Sequence, residues 1–83
     1  MSDSFVGPAP DATLDIRTQK CPMTFVRTRL ALDRMLPGQV LAVRLRGAEP
    51  IASVPKTAAE LGHSVLSLTE DADGEALLLL RRA

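Results

Sequence analysis

Apolar residues recur along this chain in two rhythms. Leu14 and Ile16 alternate with Thr13, Asp15 and Arg17, the period-2 pattern of a strand with one buried face. Val40 to Arg46 alternates in the same way, with Leu41, Val43 and Leu45 inward and Ala42, Arg44 and Arg46 outward. Ser64 to Thr69 and Glu75 to Arg82 predict two further strands. The Asp71-Ala72-Asp73-Gly74 stretch between them predicts a hairpin, since Asp-Gly supplies the positive φ that such turns need.

The other rhythm is helical. Cys21 to Leu36 reads as a helix, because Pro22 suits the first position, where a missing N–H costs nothing, and Pro37-Gly38 stops it. Phe25, Thr28, Leu32 and Met35 fall on one side and are expected to meet the sheet. Met23, Val26 and Leu30 form a second apolar stripe, bounded by Arg27 and Arg34 on one side and by Arg29 and Asp33 on the other. One sheet cannot cover both stripes. A shorter helix is expected to start at Ser53 as its cap, close before Pro55, with Val54, Ala58 and Leu61 on one face and Gly62 at its end.

The order is therefore β-α-β-α-β-β. Strand-helix-strand crossovers are right-handed in about 98% of cases, so both helices are expected on one face of a four-stranded mixed sheet. The predicted fold class is an α/β (α+β) two-layer sandwich. Residues 1–12, rich in Ser, Asp, Gly and Pro without periodicity, read as a flexible tail before a single domain over 13–83.

Composition narrows the function. Ten basic side chains balance ten acidic ones, which removes the broad attraction that brings a protein to nucleic acid or to an anionic membrane. Arg27, Arg34, Arg44 and Arg46 could form a local patch. With no Trp or Tyr and two Phe to stack bases, direct nucleic-acid binding is disfavoured, and complementarity to an acidic partner protein is the better use of those arginines. No apolar run approaches the roughly 20 residues of a membrane helix, and the first residues carry no basic flank or apolar segment of a signal peptide. A cytoplasmic protein without membrane partners is expected.

The chain has one cysteine, Cys21, so no internal disulfide forms and a reducing compartment suits it. Cys21 and His63 are the only good soft or borderline metal ligands, too few for a closed zinc site, and no metal is expected. His63 follows Gly62 and reads as a strand-start residue, with nothing in sequence to pair it with Cys21. The cysteine itself lies between a predicted strand and the first turn of a predicted helix. There the helix dipole contributes roughly half a positive charge, first-turn amides can face the sulfur, and Lys20, with Arg17 in reach, adds cationic charge. Such settings lower a thiol from about 8.5 into a range of about 3.5 to 7.5. Cys21 is thus expected to be a partly exposed thiolate, with Lys20, Pro22, Thr24 and Arg17 stabilising or shaping its site, and Met23, Val26, Leu30, Arg27 and Arg34 forming a docking surface beside it.

Leu14-Asp15, Cys21-Pro22, the helix closed by Pro37-Gly38, the strand Leu41 to Leu45, Glu49-Pro50, Val54-Pro55 and Gly62-His63 resemble, in order and spacing, the TusA/SirA-like family. The resemblance spans nearly all of Thr13 to Leu80. It implies a small α/β sandwich that takes sulfur onto Cys21 as a persulfide and passes it on, needing no cofactor beyond that covalent sulfur. The implied partners are a cysteine desulfurase or rhodanese-like donor and a sulfur-acceptor protein; in some relatives the sulfur goes toward tRNA thiolation. The role is stoichiometric carriage, with no second catalytic group at clear spacing. Where this family commonly has a second proline, Thr24 supplies an amide donor and a hydroxyl instead. The competing reading is an interaction or regulatory module, redox-sensing or RNA-associated, without persulfide carriage.

Overall fold

The computed structural model describes residues 10–20 and 23–83. Cys21, Pro22 and residues 1–9 lie outside the described residues, and with them the expected tail and the first positions of the expected first helix. The elements run β1 (Ala12–Asp15), α1 (Met23–Asp33), β2 (Val40–Arg46), α2 (Ala48–Glu60), β3 (Ser64–Glu70) and β4 (Glu75–Arg81). The four strands form one mixed sheet in the order β1-β2-β4-β3. β1 lies parallel to β2, and β4 is antiparallel to both of its neighbours. The α+β two-layer fold predicted from the sequence is the one observed.

β4 follows the period-2 pattern, whereas Ala42 of β2, expected outward, is buried between Thr13 of β1 and Leu79 of β4, and every residue of β3, at the sheet edge, is exposed. Leu41, Val43 and Leu45 of β2 and Ala76, Leu78 and Leu80 of β4 are buried and pack with Leu32 of α1, with Met35 just past its end, and with Ile51, Val54 and Ala58 of α2. Both helices therefore cover the same face of the sheet, and one core serves the whole domain. Ile16 follows β1 directly and is buried in that core, its N–H donating to the carbonyl of Arg44 at 3.0 Å. Asp11 and Ala12, at the end of the predicted tail, are already held to β2. The Asp11 N–H donates to the Val40 carbonyl at 2.7 Å, and the Val40 N–H donates to Asp11 Oδ2 at 2.8 Å.

Two helical expectations need correction. The buried face of α1 is Thr24, Thr28 and Leu32, one residue out of phase at its start, while Phe25 is half-buried. Polar threonines can lie there because their hydroxyls bond locally: Thr28 Oγ1 donates to the Thr24 carbonyl at 2.8 Å. The helix also ends at Asp33 rather than Leu36. Arg34 and Met35 donate to carbonyls three residues back, a tightened last turn, and the residue before Pro37 is disfavoured in the helical region.

The second correction concerns α2, which starts at Ala48, five residues before the expected Ser53 cap. Its N-cap is Gly47, with φ 100° and no side-chain cap bond, a conformation that leaves no signature in the side chains. Pro50 then falls in the first turn, where proline is tolerated, and Pro55 lies inside the helix rather than near its start. The far end matches expectation. Gly62, at φ 95°, donates to the Ala59 carbonyl and His63 to the Ala58 carbonyl, the paired bonds of a Schellman stop. Leu61, expected on the buried face, sits at this cap and is exposed.

Candidate functional site

The segment that carries the cysteine is defined on both sides. On the β1 side, Arg17 and Thr18 turn the chain, with the Gln19 N–H donating to the Ile16 carbonyl at 3.1 Å. Arg17 fixes this turn. Its Nη2 and Nε donate to the two carboxylate oxygens of Asp15 at 2.8 and 2.9 Å, and its backbone N–H donates to Asp15 Oδ1 at 3.1 Å. Its Nη1 reaches Glu75 Oε1 at 3.4 Å, and the other oxygen of Glu75 accepts from Arg46 Nη2. Four side chains from β1, the loop after it, β2 and β4 are thus linked. The hydrogen bond from Arg17 draws the Asp15 carboxyl from an ordinary value near 3.8 down to about 2. Arg46, and then Arg17, hold Glu75 below the usual range, while the Arg17 guanidinium is pushed further up by Asp15.

On the α1 side, the Lys20 carbonyl accepts from the N–H of Met23 at 2.7 Å and of Thr24 at 3.3 Å. Lys20 therefore ends the loop and accepts the first described bonds of the helix. The Met23 and Thr24 amides are engaged by that carbonyl rather than left to face an anion, and the Thr24 side chain is wholly buried. Its place is in the packing under the first turn. Lys20 is exposed and forms no ion pair among the described residues. The first turn of α1 carries no acidic side chain to offset the positive end of its dipole.

Arg17, read from the sequence as a cation for the sulfur, has its guanidinium committed to Asp15 and Glu75. What it does in the structure is hold the loop. The pairing of Arg46 with Glu75 has no signal in the sequence, because only the placing of β4 beside β2 brings Glu75 opposite Arg46. The Asp15 and Arg17 spacing, two apart in sequence, is the one legible sign. His63, at the far end of α2, accepts the Ala83 N–H at Nδ1 at 3.0 Å, consistent with a structural role.

The second stripe of α1 is uncovered. Met23, Val26 and Leu30 are 42, 40 and 52% exposed. Leu30 and Ala31 join Leu14, Arg27 and Arg34 around a shallow depression between α1 and β1. Arg27, Arg29 and Arg34 are exposed and make no salt bridge among the described residues. No group of acidic, histidine or cysteine side chains suited to a metal ion occurs among the described residues. None of the described helices is long and apolar enough to cross a membrane.

The described residues form a single-sided α+β sandwich, and the one cysteine of the sequence stands between the residues of β1 and those of α1. The model of the family described as sulfurtransferase TusA matches residues 12–82, and the chain belongs to that family. It is 35% identical over 69 residues to a protein of Archaeoglobus fulgidus named as a candidate sulfur carrier, covering 83% of this chain and 78% of that one. It is 40% identical over 58 residues to a protein of Thermotoga maritima with the same name, covering 70 and 73%. The crystal structure of a SirA-like protein from Desulfitobacterium hafniense shares the fold, with a TM-score of 0.73 and 22% identity over 84% of this chain and 95% of that one.

The ion-pair network predicts an acid response. A carboxyl whose folded pKa is depressed stabilises the fold above its unfolded value and loses that contribution as pH falls through the folded one. Stability is expected to fall between about pH 4 and the Asp15 value of about 2, and Asp15→Asn is expected to flatten this part of the profile. Urea midpoints measured across that range check it. Equal slopes for the two proteins would show that the network does not stabilise the fold.

Proposed function

We propose that the chain is a sulfur carrier that holds sulfane sulfur on Cys21 as a persulfide and relays it to an acceptor protein. The observation that carries this reading is the family match over residues 12–82, within which Cys21 is the only thiol. The relatives named as sulfur carriers, similar over most of their length, support it. In the loading step the Cys21 thiolate attacks the outer sulfur of a donor persulfide. The donor's sulfur–sulfur bond breaks, its cysteine leaves as a thiolate, and Cys21 gains the sulfur with no net oxidation. Delivery is the same exchange in reverse, with an acceptor thiolate as the attacking group.

The surroundings favour this chemistry. Thiolate is the attacking form, and the sequence puts Cys21 between Lys20, which makes no ion pair among the described residues, and a helix without first-turn acids. Lys20 and the helix dipole supply the positive potential in this reading. Arg17 and Thr24 act as positioning residues, one through the anchored loop and the other through the buried first turn. Pro22 supports the start of the helix. Cytoplasmic residence and a cysteine desulfurase or rhodanese-like donor accord with a thiol that must stay reduced between turnovers.

The exposed stripe Met23, Val26 and Leu30 serves as the docking surface. A relay must bring two sulfurs within bonding distance, and apolar contacts one helical turn from Cys21 would hold a partner there. Arg27 and Arg34 would orient a partner whose rim is acidic.

Incubation with a cysteine desulfurase and cysteine is expected to raise the intact mass by one sulfur atom, removed by reductant, while Cys21→Ser gains nothing. A chain that gains no sulfur, or a Cys21→Ser variant that gains it equally, would end the carrier reading. A module that only docks partners would be insensitive to Cys21→Ser.

The docking role is tested by Val26→Asp with Leu30→Asp. Loss of two apolar contacts of roughly 1 kcal/mol each predicts transfer slowed about tenfold or more. The unfolding free energy should move by about 0.5 kcal/mol or less, as expected of surface sites. A collapse of stability, or transfer at the original rate, would remove the stripe from the mechanism.

A further inference from the structure

β1 and α1 bound a groove whose two walls differ in kind. β1 is an edge strand: it pairs with β2 on one side, and among the described residues no strand lies on the other. The Ile16 N–H donates to the Arg44 carbonyl, so by the alternation of a parallel ladder Thr13 and Asp15 turn their N–H and C=O groups away from β2, toward the free edge. Unpaired edge groups are a template for a further strand. Nothing within β1 guards them, since its sequence, Ala-Thr-Leu-Asp, has neither proline nor lysine.

The helix supplies the other wall. α1 carries the chain back from the end of β1 to the start of the parallel β2, so its axis runs alongside the edge. Leu14 is in register with the buried Val43 and so points to the helix side of the sheet, where it lines the depression with Leu30, Ala31, Arg27 and Arg34. Both guanidiniums are exposed and in no salt bridge among the described residues, and no acidic side chain is among those lining the depression. Its charge is positive and unmatched. A second copy set against the same edge about a two-fold axis would bring arginine toward arginine, so charge favours a different occupant.

We propose that this groove takes an extended acidic segment of a partner protein, added to the sheet as a further strand along β1. The inference rests on the docking role proposed for this side of α1 and names the form of the partner that docks. Arg27 and Arg34, seven positions apart, are separated by about 10 Å along the helix. A strand advances about 13 Å over four residues and turns every second side chain to the same face. A segment with acidic residues four apart and an apolar residue midway therefore sets a carboxylate near each arginine and its apolar side chain against Leu14 and Leu30. The edge offers only the outward groups of Thr13 and Asp15, so backbone bonds fix the extended form and charge selects the partner. The loop that leads to Cys21 begins where this edge ends.

The test titrates the full, isotopically labelled chain carrying Cys21→Ser with a short peptide centred on Glu-Thr-Val-Thr-Glu, read from backbone amide resonances. The expected result is that the Thr13 and Asp15 amides shift and become protected from solvent exchange, and that replacing both glutamates of the peptide by lysine weakens binding at least about tenfold. Arg27→Glu with Arg34→Glu should weaken the acidic peptide by a similar factor and let the lysine peptide bind in its place. Thr13→Pro removes one outward donor while keeping the ladder to β2, and should weaken binding with the far-ultraviolet circular dichroism spectrum unchanged. A peptide that leaves β1 unshifted, equal binding of the two peptides, or a single-stranded RNA oligonucleotide that binds the groove more tightly than the acidic peptide would overturn the proposal. So would Thr13 and Asp15 amides already protected in the free chain, since a second copy or residues 1–9 would then hold the edge. The titration needs no sulfur on the protein, so its failure leaves the carrier reading standing, and a chain that gains no sulfur leaves this groove standing.

Discussion

The placement of the last strand between β2 and β3 is the constraint from which the rest of the molecule follows. β4 pairs with β2 over seven positions, from Val40↔Arg81 to Arg46↔Glu75, and with β3 on its other side. This central position buries Ala76, Leu78 and Leu80 against both helices. At roughly 25 cal/mol per Å² of apolar surface removed from water, such central side chains dominate the stability of a domain with so small a core. The same ladder fixes where Glu75 lies. As the first residue of β4 it stands beside Arg46 and within reach of Arg17, so the carboxyl end of the chain restrains the loop that leads to Cys21. It also makes β3 an edge strand of the described sheet.

Much of this was legible in the residues, for local reasons. Period-2 alternation marked β1 and β2, and the strand-like runs on either side of Asp71-Ala72-Asp73-Gly74 marked β3, β4 and their hairpin, all to within one or two positions of their ends, because these signals depend only on neighbours in sequence. The two stripes of α1 were legible for the same reason, and the uncovered one followed from having a single sheet to cover them. The start of α2 was hidden. Gly47 caps it through backbone conformation alone, and Pro55 looked like a breaker although the helix accommodates it. The phase of α1 slipped at Phe25 because hydropathy favours phenylalanine over Thr24, while local hydroxyl bonding lets the threonine side of the helix be buried.

The site divides in the same way. Cys21, Lys20 and the helix start are contiguous in sequence and could be read directly. The anchoring of Arg17 by Asp15 and Glu75 could not, since Glu75 is 58 residues away and its position depends on strand order. Arg17, expected from the sequence to stabilise the thiolate or shape its site, is bound to Asp15 and Glu75. In the proposed function, Lys20 and the helix dipole would then be the electrostatic support for a thiolate, and the exposed stripe would be the means of bringing a partner to it.

Reversible carriage on one sulfur is the centre of this account, and a chase of the loaded protein tests it most directly. The chain is loaded with isotopically labelled sulfane sulfur, separated from the donor and mixed with a low-molecular-mass thiol. The account predicts that the label leaves Cys21 as the persulfide of that thiol, mole for mole, while the protein returns to its starting mass. Label that stays on the protein, or is found on a residue other than Cys21, would contradict it.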